Sequence, residues 1–328
     1  MSTTTGHVEP DVRTTGDTGY LRATRRLGDR VFSGLATGSG LVVVGIIAAV
    51  GAFLLAQAIP ALTKDDANFF TDRVWDVGGE RLRFGIPDLL WVTVVSSVVA
   101  MAIALPVAIG VALFLTEYAP KRLARPFANL VDLLAAVPSI VYGLWGASLL
   151  LPYVRPVQDA LGATLGWIPL FDTKSAISGT IFLASVVLAV MILPIITAIS
   201  REVFAQTPIT HKEGALALGA TRWEMIRTAV LPFGTPGAIS AAMLGLGRAL
   251  GETIAVSLIM GTVNGPFSWS LFSGGETFAS RIANNAQEFD SPTKAGAFIA
   301  AGLVLFALTF VVNAIARVVI ERRKAFSE

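Results

Sequence analysis

Six stretches of this chain run for 20 residues or more without Asp, Glu, Lys, Arg or His: 31–63, 89–116, 133–154, 175–200, 228–247 and 295–316. Each is long enough to cross the roughly 30 Å hydrocarbon core of a bilayer, which takes about 20 helical residues. In that medium every backbone amide and carbonyl must be paired, which leaves only helices and closed barrels. The stretches are long and lack the polar alternation of barrel strands, so the sequence predicts an all-α membrane protein with six transmembrane helices. Composition agrees, since 54% of the 328 residues are hydrophobic and 15% charged, where a soluble globule carries about a quarter. Residues 253–275 are also uncharged and continue the fifth stretch, but from 261 onward they are rich in Gly, Pro, Asn and Ser. One tilted fifth helix followed by a loop is expected there.

The remaining charges set direction. With the N-terminus placed in the cytoplasm, 16 Lys and Arg fall inside and 8 outside, with Arg248 left within a span. Excess Lys and Arg mark the cytoplasmic side, so both termini are expected there. Trp75, Trp91, Trp145, Trp167 and Trp269 then fall in outer loops or near outer helix ends, where indole rings anchor at the interface. The expected organisation is a disordered tail over 1–30, a first span over 31–60 and an outer loop over 61–88. A five-helix core follows over 89–317, with an inner loop at 201–232, then an inner tail over 318–328. Ala56-Gln57-Ala58 imitates a signal-peptide cleavage site. The apolar region before it is far longer than the usual 7 to 15 residues, so an uncleaved first span is expected. No internal repeat of fixed period is evident.

Several chemistries are excluded. The chain has no cysteine, hence no disulfide framework, thiolate metal site or cysteine nucleophile. His7 and His211 are too far apart for a zinc motif. The net charge is +2, but the basic residues are scattered between apolar blocks, so nucleic acid is not an expected partner.

The inner loop carries the most organised local code. Thr210 is followed three residues later by Glu213, and Thr221 by Glu224, two potential capping boxes. Gly219 stands between them, where a left-handed residue would end the first helix. The spacing predicts a short helix over 211–218, a sharp turn, and a second helix running to Leu231 and Pro232. Ala215, Leu216 and Leu218 give the first helix an apolar face too narrow to be stable alone. It needs a partner to dock on, or a lipid surface to lie against.

Two charges enter the fifth stretch, Arg248 and Glu252, four residues apart and so expected on one helical face. A lone charge there costs at least about 2.5 to 3.5 kcal/mol, so the pair should face protein or water. Glu252 could simply neutralise Arg248, or the guanidinium fork could bind a passing oxyanion while Glu252 holds it between passages. Gly245, Gly247 and Gly251 would let a helix or ligand approach. In the third stretch Pro138 is expected mid-helix, freeing a carbonyl that Ser139 or water could satisfy. Glu117 and Asp132 are expected to be interfacial.

The segment EGALALGATRWEMIRTAVLP (213–232) resembles the EAA loop of ABC-importer permeases. Glu213, Ala215, Gly219, Leu231 and Pro232 match at the family spacing, while Gly214 and Ala229 depart from it. The resemblance implies that this helix, with Leu216, docks in a cleft of a separate ATPase and transmits its movement. The chain has no Gly-Lys dipeptide, hence no phosphate-cradling loop of its own. No cofactor is expected in this chain, and ATP and Mg would belong to the ATPase.

Further segments, FGIPDLLWVTV (84–94), ALFLTEYAP (112–120), AAVPSIVYGLWG (135–146), RALGETIAV (248–256) and SLFSGGETFASRIAN (270–284), resemble PstC-type permeases of phosphate-specific ABC importers. That resemblance implies a type I importer fold and alternating access in the inner membrane, with Arg248, Glu252 and Ser139 on the substrate pathway. It implies as partners a PstA-type sister permease, a PstB-type ATPase dimer and a PstS-type extracytoplasmic phosphate-binding protein. It implies no catalytic residue and no metal site. An importer for sulfate or molybdate and the PstA-type subunit itself remain alternatives. An ion channel would need a selectivity ring, and an intramembrane hydrolase finds no histidine in any span.

Overall fold

The computed structural model describes residues 27–78, 81–173, 179–260 and 267–324. Most of the expected N-terminal tail, the first residues of the fourth stretch, residues 261–266 of the Gly-rich segment and the last four residues lie outside the described residues. Contacts divide the chain after Val50 into two units. The described part of the first is the leading portion of α1 (Leu27–Leu62), with Val31, Phe32 and Leu41 exposed along it.

The second unit holds the remaining elements. A two-residue antiparallel hairpin, β1 (Trp75–Asp76) and β2 (Arg83–Phe84), precedes α2 (Pro87–Leu113). Pro87 suits the first turn of α2, where the absent amide would have had no partner. There follow α3 (Lys121–Ala135), α4 (Ser139–Trp145), α5 (Leu151–Leu165) and α6 (Ile181–Ala205). Then come α7 (Ile209–Ala217), α8 (Arg222–Met225), α9 (Leu231–Leu250), α10 (Ile254–Ile259), α11 (Phe278–Asn284) and α12 (Pro292–Lys324). The most enclosed span is α6, which packs along α2 and α9 through Ile181, Val187, Ile192 and Ile196.

Among the described residues three π turns adjoin these helices: Phe114–Tyr118, which ends α2, and Gly146–Leu150 and Ile226–Val230, each between two helical segments. Each ends two residues before a proline, at Pro120, Pro152 and Pro232. A proline supplies no amide to the carbonyl four residues back, so the ladder slips by one residue before it. Four residues before each proline stands a hydroxyl that caps a carbonyl of the preceding turn: Thr116 to Ala112, Ser148 to Leu144 and Thr228 to Glu224. Pro232 therefore does not end a helix, and the second loop helix runs on as part of one span, Arg222–Leu250.

Among the described residues five helices are long and apolar enough to cross a membrane, and α3 with the Ser139–Leu165 helix, bent by 91°, makes a sixth when the pair counts as one span, in line with the all-α membrane fold expected. Two expectations within the spans are corrected. Pro138 is not mid-helix but the cap residue before α4, because its ring drives Val137 out of the helical region. The carbonyl four residues before Pro138, that of Leu134, accepts the Val137 amide at 3.3 Å and a 2.8 Å hydrogen bond from the Tyr142 hydroxyl, not from Ser139. The fifth span is likewise not one tilted helix. It ends at Leu250 with Gly251 as cap, and the chain restarts as the six-residue α10.

Candidate functional site

The break between α9 and α10 is built from Gly251, Glu252 and Thr253. Glu252 is buried, and its Oε1 accepts the Ala255 amide at 3.1 Å, so the carboxylate caps α10. This overturns the expected pairing with Arg248. Glu252 lies beyond the last turn of α9 and is no longer on the helical face of Arg248. Among the described residues Arg248 makes neither a hydrogen bond nor an ion pair, and its side chain is exposed. Leu244 and Gly247, one turn back and beside it, are exposed too, and nothing lies within 4 Å of a Cβ placed at Gly247. Of the other two expected glycine contacts, Gly245 packs against Ile196, whereas Gly251 serves as the cap.

The bent pair comes close to this break. A Cβ on Gly143 would lie 2.7 Å from the Ala255 Cα, so α4 and α10 touch backbone to backbone there. Tyr142, which closes the corner at Pro138, is within electrostatic reach of Arg248. Ser139 is half-buried one turn below and bonds to neither Arg248 nor Glu252. The structure thus gathers Arg248, Tyr142 and the Glu252 break, and leaves Ser139 at the margin.

Behind the break runs a network that the sequence reasoning missed. Glu276 is buried and accepts from Arg281 Nη1 at 2.5 Å and from Asn284 Nδ2 at 3.0 Å. Asn284 in turn accepts from Ser257 on α10, so α11 and α10 are tied together. The Arg281 guanidinium lies 5.4 Å from the Trp75 ring centroid, beside a cavity of about 390 Å³ also lined by Gln287, Asp290 and Lys294. The signal was present. Gly-Glu-Thr occurs at 251–253 and again at 275–277, each time with a buried Glu ahead of a short helix.

At the other end of α2 and α6 lies the helical hairpin. Its turn is as expected, with Gly219 at φ +85°, a region that L side chains rarely adopt. The Thr221–Glu224 box forms in both directions. The Thr210–Glu213 box does not, because α7 begins at Ile209 with Pro208 as its cap residue, which places Thr210 inside the first turn. Glu213 is exposed and shares a face with Ile209 and Leu216, themselves 68% and 44% exposed. Ala215 and Leu231 instead pack inward, against Phe204, Met225 and Ile226. Pro232 is exposed. Glu117, expected at the interface, forms an ion pair with Lys212 in which its side chain is 7% exposed. Asp132 stays half exposed, 3.3 Å from Arg201. No group of three or more His, Asp or Glu that could hold a metal occurs among the described residues.

Comparison with known proteins places these features in context. Residues 104–325 match the family described as binding-protein-dependent transport system inner membrane component. The phosphate transport system permease protein PstC 2 of Mycobacterium tuberculosis is 53% identical over 303 residues, covering 91% of this chain and 93% of that protein. The corresponding PstC of Mycobacterium leprae is 54% identical over 81% of this chain and 85% of its own length. PstC of Mesorhizobium japonicum is 36% identical over 95% of both. Among solved structures, an inward-facing MetNI methionine ABC transporter aligns with a TM-score of 0.54 at 17% identity, over 72% of this chain and 94% of that one. That likeness is one of fold.

Proposed function

We propose that this chain, which belongs to the family of binding-protein-dependent transport system inner membrane components, is the permease subunit of an ATP-driven importer of inorganic phosphate. Arg248 carries the proposal: an unpaired, exposed guanidinium on a span, one turn before that helix breaks. An unneutralised charge in a span is costly unless it faces water or a partner, and a guanidinium matches the oxygens of a tetrahedral oxyanion. The names of the relatives, all phosphate permeases, support the same cargo.

The chain then works as one half of a pathway. A PstA-type sister permease covers the face of Leu244, Gly247 and Arg248. A PstS-type protein delivers phosphate to the outer segments around 61–88, 153–174 and 264–294. A PstB-type ATPase dimer, which holds ATP and Mg, receives the face of Ile209, Glu213 and Leu216. Closure of that dimer would displace α7 and switch the cavity between inward and outward access. Arg248 meets the anion on the way, and Glu252 fixes the break that lets the anion approach. Hydrolysis takes place on the ATPase, not in this chain.

The test is ATP hydrolysis and uptake by the copurified complex, reconstituted with its binding protein and given phosphate, sulfate or molybdate in turn. Stimulation and uptake confined to phosphate are expected. Activity with another oxyanion alone would overturn the cargo, and a complex without an ATPase would reopen the channel alternative. Orientation is tested separately. The chain has no native cysteine, so one added at the C-terminus should resist impermeant thiol reagents in intact cells. Ready labelling would reverse the topology.

A further inference from the structure

The hairpin helix α7 is tied to the spans by two contacts that the docking face does not use. Lys212 places its Nζ 2.5 Å from Oε1 of Glu117, in the π turn that ends α2. Three residues on, Ala215 packs against the apolar cluster of Ala112, Leu113, Phe204, Met225, Ile226 and Val230. The ionic contact is unlike its neighbour. The Glu117 side chain is 7% exposed and that of Lys212 18%, whereas in the Arg201–Asp132 pair the carboxylate is 50% exposed. Exposed pairs contribute little, but parting this one would strand a Glu117 carboxylate that is largely withdrawn from water, so the pair keeps its partners together when one is displaced.

The position of Glu117 matters as much as its burial. It sits at the fourth position of a five-residue π turn, a segment holding one residue more than the regular ladder needs. Such turns occur often at functional sites. A pull on Glu117 acts on this slack residue and through it on α2, which packs along α6 in the core. The second π turn at this end, Ile226–Val230, contributes Ile226 and Val230 to the same cluster. One short helix is thus held between two slipped ladders, by an ion pair on one and apolar packing on the other.

We infer, resting on the coupling role proposed for α7, that the Lys212–Glu117 pair is the strut through which displacement of α7 reaches α2, with both side chains acting as positioning residues for transport. Among the described residues it is the ion pair that joins α7 to a span.

Three variants of the reconstituted complex decide it: Glu117→Lys, Lys212→Glu and the double reversal. The quantity read is phosphate taken up per ATP hydrolysed, for equal amounts of assembled complex. Each single variant should lower that ratio about tenfold, and the double should return to within about threefold of wild type. A pair that only supports folding would lower the yield of complex and leave the ratio unchanged, which overturns the strut. So would a double variant that stays as low as the singles. Should a reversal fail to assemble, Glu117→Gln leaves Lys212 without its counter-charge at nearly constant volume. A lowered ratio supports the strut there, and an unchanged one overturns it. If the wild-type complex carries sulfate instead of phosphate, the cargo fails alone, and the same variants are scored on sulfate.

Discussion

Arg248→Gln is expected to assemble normally and to lose roughly ten- to a hundredfold in phosphate uptake, the range set by one hydrogen bond to a charged partner. Normal folding of the chain follows from the surroundings of Arg248, which bonds to no described residue. Its removal orphans no carboxylate, and substitutions of this kind shift stability by about 0.5 kcal/mol or less. Loss of uptake follows from chemistry, since Gln keeps donors but not the charge or the fork. Arg248→Lys separates these two properties, because it keeps the charge and loses the bidentate geometry, and should fall between. Measured per assembled complex in vesicles, wild-type uptake in the Gln variant would remove Arg248 from the pathway. Equal loss in the Gln and Lys variants would assign the effect to the fork.

Charge exclusion made the spans legible. Five of the six apolar windows coincide with helices that can cross a membrane, since a burial requirement of 20 residues leaves a long uninterrupted signature. The direction changes inside a window were hidden. An apolar run such as 228–260, interrupted only by Arg248 and Glu252, looks the same whether it is one helix or two, and the break at Gly251 has no signature in hydropathy. It did have one in the repeated Gly-Glu-Thr. The π turns were also written locally, as a Ser or Thr four residues before a proline, a pattern with a clear backbone cause. The corner at Pro138 was legible from Val137-Pro138, where a kink within a helix was expected in place of a cap.

Long-range pairs are a different matter. Lys212 and Glu117 are separated by 95 positions, and nothing around either announces the other. Each was readable alone as a charge near a span end, whose ordinary fate is solvation. Only the packing of α7 against the ends of α2 and α6 brings them together and removes water from the carboxylate. For Arg248 and Glu252 the error ran the other way. Spacing of four residues predicted a pair, and a cap between them at Gly251 dissolved it.

Glu213→Lys should leave expression, insertion and helix content intact while lowering ATP-driven uptake at least about tenfold, the scale of a typical coupling free energy. The absent capping box makes this expectation sharp. Had Glu213 closed a box with Thr210, its loss would loosen α7 and confound any transport defect, since caps contribute about 1 kcal/mol. Instead Pro208 precedes the helix and Glu213 caps nothing. It stands exposed between Ile209 and Leu216 at helical spacing, an apolar strip with one carboxylate at its middle. A defect at such a position originates outside this chain, at the surface that covers the strip. Reversing the charge there introduces repulsion against whatever complements a carboxylate. Two outcomes are distinguishable by copurification: an ATPase that no longer binds, or one that binds and hydrolyses ATP without transport. Leu216→Ala should produce the milder version, through lost apolar contact alone. A Glu213→Lys complex with wild-type uptake and a full complement of ATPase would mean that this face of α7 is not the coupling surface, and the strut between Lys212 and Glu117 would then have nothing to transmit.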